Sequence, residues 1–239
     1  MTTRSKPITE RFVPSVAGID LEHALNYTSS DEIPREWFYR SFTFPRTFYR
    51  KGSRPALEAF LESRQCGHSG GREGAREIIR AVYETISHFS LLGFSGEAAR
   101  GLCEEGLLLL GQGWCNEQAR VLAALSQVAG IPARLVFCGM PNGQGHVLTE
   151  LFLEEKWALV DQTAAFLFED SRGNLLNLFD LECDHGAREE MRGRYRKALQ
   201  DERAKARDAA FWDQYVPYGV VDDSLLLFAS AGFCNYFIH

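Results

Sequence analysis

The chain is 239 residues long and 45% hydrophobic, with a formal net charge of −6. That length can bury a substantial core, as one domain or as one domain with extensions, and the acidic balance argues against a general nucleic-acid or anionic-membrane role, since both need a basic face. No apolar run follows Met1 to Pro7, and the longest aliphatic run, Leu107 to Leu110, is far short of a membrane span. A cytoplasmic protein without a signal peptide is the expectation.

Taken in chain order, residues 1 to about 55 hold aromatic residues interleaved with arginine: Trp37, Phe38, Tyr39 and Arg40, then Phe42, Phe44, Arg46, Phe48, Tyr49 and Arg50. Such interleaving can stack bases, but in an acidic chain it reads better as strand or loop aromatics covering the core, with Pro45 breaking any long strand. Ile78, Ile79, Val82, Ile86 and Phe89 recur at helical spacing and predict a helix over 73–89. Ser95 is a candidate cap for a second helix through Leu110, with Gly111 and Gly113 punctuating its end. A third helix is expected from Cys115 to Ala129, facing the core with Val121, Leu122, Leu125 and Val128. Gly130 supplies its stop and Pro132 prevents continuation.

Three strands are predicted next. Arg134 to Gly139 is apolar on both faces, as a buried central strand would be. His146 to Leu153 and Trp157 to Gln162 flank the polar pair Glu154 and Glu155, which reads as a hairpin. Phe166 to Asn174 suggests a further strand and turn. The helical pattern from Gly186 to Phe211 is heavily charged, so that helix should be mostly solvated. Val220 to His239 is apolar enough to pack back on the core. The organisation expected is an N-terminal extension over 1–60, a core over 61–180 and a C-terminal helical extension over 181–239, together one compact domain.

Six cysteines in a chain this long do not make a disulfide scaffold. Cys103, Cys138 and Cys234 fit the part of small buried hydrophobes. Cys115 differs because of its flanks. It precedes a predicted helix, whose unpaired N–H groups and positive dipole end favour a thiolate, and a thiolate is the form of cysteine that attacks carbonyl carbon. His146 opens a strand after the polar stretch Pro141 to Gly145, and Asp161 lies near the end of the next strand. A symmetric turn at Glu154 and Glu155 would place Leu148 opposite Asp161 and His146 opposite Thr163. His146 and Asp161 would then be diagonal neighbours on one face, about 7–8 Å apart between backbones, a span their side chains can close. A one-residue slip would separate them. In that order the three residues read as nucleophile, base and orienter.

The segments Gly113-Trp114-Cys115, Ala119, Gly130-Ile131-Pro132-Ala133-Arg134, His146 with Glu150, and Trp157 with Asp161-Gln162-Thr163 resemble the transglutaminase-like superfamily over about residues 73 to 165. The resemblance implies an α+β fold with a papain-like core, helices packed on an antiparallel sheet and the nucleophilic cysteine at a helix N-terminus. It implies Cys115 as nucleophile, His146 as general base and acid, and Asp161 as the residue that orients His146. The family often carries an aromatic two residues after the histidine, where this chain has Leu148, so pocket shape can differ there.

The Cys115 backbone N–H is the natural first oxyanion donor. Gln112 and Trp114 carry candidate side-chain donors, and Gly113 and Gly145 are candidate substrate-binding positions. Cys66-Gly67-His68 and Cys183-Asp184-His185 could in principle share a metal, but ligand pairs in structural zinc sites are usually spaced more widely, so no metal and no cofactor are expected. His23, His88 and His239 have no partner suggested by sequence. The expected activity is cysteine-dependent acyl transfer or hydrolysis at an amide or acyl carbonyl of a peptide, protein or small substrate, through a Cys115 thioester. The alternative is a protein-binding scaffold that keeps the fold without the chemistry.

Overall fold

The computed structural model describes residues 27–29, 47–88, 99–139, 145–205 and 230–234. Helix α1, Pro55–Arg64, starts with proline at its first turn, where the missing N–H costs nothing, and buries Leu57 and Leu61. Helix α2, Gly71–Thr85, buries Ala75, Ile78, Ile79 and Val82 along one stripe. It ends short of the expected residue 89. Ile86 is already extended, and Ser87–His88 form strand β2, because they pair in parallel with strand β3, Gln112–Gly113. A tertiary pairing here overrides the local helical spacing.

Helix α3 spans Glu104–Leu110, shorter than the Ser95-to-Leu110 helix that spacing suggested. Gly101 has φ +83° and Cys103 is extended, so residues 101–103 are not helical; Ser95 lies outside the described residues. Gly111, with φ +67°, closes α3 in the left-handed region that glycine tolerates. Helix α4, Cys115–Val128, begins and ends within a residue of expectation and is the most buried helix, with Val121 to Leu125 all at zero exposure.

The main sheet has the order β1-β8-β4-β5-β6-β7, every pair antiparallel. Its strands are β1 Tyr27–Ser29, β4 Ala133–Gly139, β5 Gly145–Leu153, β6 Lys156–Asp161, β7 Phe166–Leu167 and β8 Ser230–Cys234. The β5–β6 hairpin turns at Glu154 and Glu155, whose φ values are +51° and +63°. Positive φ at both central residues belongs to the turn that matches strand twist. Leu153 pairs with Lys156 and Thr149 with Val160, which is the symmetric register expected from sequence. The segment after β7 bridges Glu169 to Leu175 around a turn tied by Asp170, as expected for 166–174.

Side chains alternate across the sheet with period two. Ala133, Leu135, Val147, Leu151, Leu153, Ala158 and Val160 join the core shared with α1 to α4. The alternate residues Val136, Leu148, Trp157 and Leu159 are buried outside that cluster, with helices α5, Leu178–Cys183, and α6, His185–Lys205, on their side. On this second face Arg134 and Glu150, direct cross-strand partners on β4 and β5, form a fully buried ion pair at 2.6–2.7 Å. The guanidinium also stacks over Trp157 at 4.2 Å, and Glu150 accepts the Leu178 N–H.

Over residues 185–198 helix α6 is exposed or half-buried, as its charge predicts, except that Met191 and Tyr195 are buried. The C-terminal segment is more than helical, since Ser230–Cys234 is a strand of the main sheet. Cys138 is buried as expected, whereas Cys103 is exposed because it precedes α3 at the surface, and Cys234 carries no described side chain. Most of the aromatic-rich stretch before Thr47, including Pro45, lies outside the described residues.

Candidate active site

Cys115 is the first residue of α4, His146 the second residue of β5, and Asp161 the last residue of β6. The hairpin register brings the two strand ends together, and α4 points its N-terminus at them. The helix start is fixed by its own residues. Glu117 accepts the Trp114 N–H at 3.0 Å, which satisfies a donor left unpaired at a helix end. Gly113 permits this close turn, since a Cβ there would lie 2.7 Å from the Glu117 Cβ.

His146 Nε2 lies 3.3 Å from Asp161 Oδ2, with both residues buried. The Cys115 sulfur is hydrogen-bonded to His146, and Nδ1 is the ring nitrogen left for it once Nε2 faces the carboxylate. Hydrogen bonding from the His88 ring and from the Val147 backbone also favours the thiolate. Sequence reasoning left His88 without a partner, and the structure corrects this. The β2–β3 pairing sets His88 beside Gly113, and its ring meets Trp114 edge-on at 5.4 Å.

Further polar groups hold the three side chains in place. Asp161 Oδ1 accepts the Thr163 N–H at 2.9 Å, and Oδ2 accepts the Tyr195 hydroxyl from α6. Gln162 is fully buried; its amide nitrogen donates to the Cys115 carbonyl at 3.1 Å and to the Val147 carbonyl at 2.8 Å. It therefore ties the nucleophile helix to the histidine strand. Thr163 donates to Gln118, and Gln118 donates to the Ile86 carbonyl just before β2. Asp161, Gln162 and Thr163 thus each fix a different part of the site. Tyr195 was not legible in sequence, because it sits in a helix whose pattern is otherwise charged and solvated.

Burial alone would raise the Cys115 thiol, but hydrogen bonds from His146 and His88 and the charge of His146 bring it down to about 6. Burial likewise disfavours the His146 imidazolium, yet the Asp161 carboxylate raises it to about 10. Burial opposes the charge on Asp161 too, and His146, Tyr195 and the Thr163 N–H outweigh it, so its pKa is lowered. Both shifts favour the charged thiolate and imidazolium forms.

Of the other expected positions, Gln112 lies in β3 opposite Ser87, Gly113 is buried beside Glu117, and Gly145 is exposed one residue before His146. Trp114 packs against His88. Among the described residues no cluster of three or more His, Cys, Asp or Glu could hold a metal ion. Cys66 is buried and Cys183 exposed. His23 and His239 lie outside the described residues. No described helix is long and apolar enough to cross a membrane.

Residues 63–162 match the family model of the transglutaminase-like superfamily. No curated protein matches the chain. Among solved structures, a candidate cysteine protease from Cytophaga hutchinsonii is 15% identical, with a TM-score of 0.37 over 51% of this chain and 40% of that one. A TGase is 14% identical, with a TM-score of 0.38 over 46% of this chain and 31% of that one. The chain therefore spans less than half the length of either. The segment that matches the family model holds Cys115, His146 and Asp161.

Proposed function

We propose that this protein is a cysteine-dependent acyl-transfer enzyme or hydrolase acting on an amide or related acyl carbonyl. The observation that carries the reading is a thiol at a helix N-terminus, hydrogen-bonded to an imidazole whose other nitrogen faces a fully buried carboxylate. In the proposed reaction the Cys115 sulfur pair attacks the carbonyl carbon and the carbonyl π pair moves to oxygen. As the adduct collapses, the leaving amine takes the proton of the His146 imidazolium, leaving a Cys115 thioester and a neutral imidazole. An incoming water or amine then gives His146 its proton while it attacks the thioester, and the thiolate departs. Water as acceptor makes the enzyme a peptidase, amidase or deamidase; an amine makes it a transamidase.

The Cys115 backbone N–H, at the first position of α4, is the proposed primary oxyanion donor. Asp161 holds the imidazole tautomer and orientation, and the wider substrate partner is a peptide, a protein or a small acyl compound. The test is selective chemistry at Cys115. Limiting iodoacetamide followed by peptide mapping should label Cys115 ahead of the exposed Cys103 and Cys183. An acyl ester such as p-nitrophenyl acetate should leave an acetyl group on Cys115, detectable by mass spectrometry and lost in Cys115→Ala. Equal labelling of the three thiols with no acetylation would favour the binding scaffold instead.

A further inference from the structure

Two imidazoles meet the Cys115 sulfur, and the relay described above uses one of them. Asp161 faces His146, so the base is assigned, and His88 approaches the sulfur from a different element. Its position is fixed by backbone pairing. Ser87 N–H donates to the Gly111 carbonyl at 2.9 Å, Ile86 accepts from Gln118 at 2.8 Å, and His88 pairs with Gly113, two residues before the nucleophile. His88 is buried, and Trp114 covers it edge-on. A rigid, largely desolvated N–H donor at the nucleophile is the kind of group that stabilises charge developing in a transition state.

We propose that His88 is a catalytic residue of this site, its ring N–H joining the Cys115 backbone N–H to hold the oxygen that becomes negative when an acyl carbonyl adds to the sulfur. The assignment rests on reading Cys115 as an acyl-accepting nucleophile. The oxyanion lies two bonds from Sγ, so a donor at the sulfur reaches that oxygen when the carbonyl adds with its oxygen on the donor's side, and His88 enters on the side of Gly113 and the α4 N-terminus. In the resting site the His88 N–H points at the thiolate, where the negative charge is. When sulfur gives its pair to the carbonyl carbon, the charge passes to oxygen and the same donor follows it with little movement. On collapse of the adduct the oxygen's pair re-forms the carbonyl and the leaving group departs, as p-nitrophenolate in the case of p-nitrophenyl acetate. Gln112 and Trp114, the side-chain donors suggested by sequence, flank Gly113, and His88 enters beside that same glycine from β2.

The experiment compares two reactions of one sulfur. Single-turnover acylation of Cys115 by p-nitrophenyl acetate builds an oxyanion; alkylation by iodoacetamide is a displacement at saturated carbon and builds none. His88→Ala should slow acylation about 10²–10³-fold, the cost of losing one oxyanion donor, while alkylation changes far less. His88→Gln, which keeps a side-chain N–H donor, should recover part of the acylation rate. Should His88→Ala fail to fold, the ratio of acylation to alkylation in folded His88→Gln, compared with wild type, carries the test. Acylation and alkylation falling in equal proportion would make His88 a thiolate stabiliser only and overturn the oxyanion assignment, as would unchanged acylation. A wild-type protein that is never acylated at Cys115 would overturn the functional reading itself, and this inference with it.

Discussion

Asp161 is a carboxylate with no surface exposure, and such a charge persists only where partners replace the lost water. His146, Tyr195 and the Thr163 N–H do so here. That arrangement sets the pH behaviour of the site. The productive thiolate–imidazolium form requires Cys115 deprotonated and His146 protonated, so kcat/KM should rise through about pH 6 and fall through about pH 10. Those two values belong to the coupled pair rather than to either residue alone. The stability linkage has opposite signs at the two groups. Cys115 is lowered from 9.0, so its contribution is full above pH 9 and is lost as pH falls through about 6. His146 is raised from 6.5, so its contribution is full below pH 6.5 and is lost as pH rises through about 10. Between pH 6.5 and 9 the two changes offset each other, and the pair's net effect on unfolding free energy should be nearly flat. In Cys115→Ala only the His146 change remains, so the stability of wild type relative to that variant should rise from pH 6.5 to 9 in denaturant titrations at pH 6.5, 7.5 and 9; a flat difference would mean that the ion pair is not the resting state. At this scale Cys115, His146 and Asp161 were legible in sequence, because each has flanks that its chemistry needs. His88 and Tyr195 were not, because each reaches the site through a non-local contact that leaves no local pattern.

The elements that carry the site differ in how openly their sequence announces them. The register of the β5–β6 hairpin was legible, since Glu154 and Glu155 are a polar pair that separates two apolar strands and marks the turn. Helix α4 was legible at both ends, from the Gly113-Trp114-Cys115 start and the Gly130 stop, where φ is +81°. The end of α2 was not, because Ile86 to His88 continue a helical spacing while their partners in β3 draw them into a strand. The register of β4 on β5 has a chemical marker, the Arg134–Glu150 pair, held in a dry layer against Trp157. Arg134→Met should destabilise the fold by about 3–5 kcal/mol, because it leaves the buried Glu150 carboxylate without its cation. The double variant Arg134→Met with Glu150→Leu should recover much of that loss, and urea unfolding of the single and double variants measures both. A cost below about 1 kcal/mol for Arg134→Met would show that the pair does not hold the register. Acetylation of Cys115 should survive in the double variant, since neither residue touches the sulfur.

At the scale of the whole molecule, the sheet that holds His146 and Asp161 is completed from the two ends of the chain. Strand β8 lies between β4 and β1, so the central strand expected from its apolar faces is central only because residues 230–234 cover its second edge. The apolar character of 220–239 suggested packing on the core, but nothing local distinguished a strand in the sheet from a segment laid over it. β8 pairs five residues with β4, from Leu135↔Cys234 to Gly139↔Ser230, and the same stretch of β4 carries Cys138 opposite His146. Removing residues 230–239 would therefore bare the edge of a buried apolar strand directly behind the histidine, and would take away the partner of β1 as well. An exposed, flat, apolar edge is a template for pairing with another chain. The deletion variant should show a lower unfolding midpoint and concentration-dependent aggregation, followed by light scattering during a thermal ramp. Its Cys115 acylation should fall with the folded fraction. If the variant stayed monomeric with an unchanged midpoint, β8 would be dispensable, and the site would rest on the α4, β5 and β6 contacts alone.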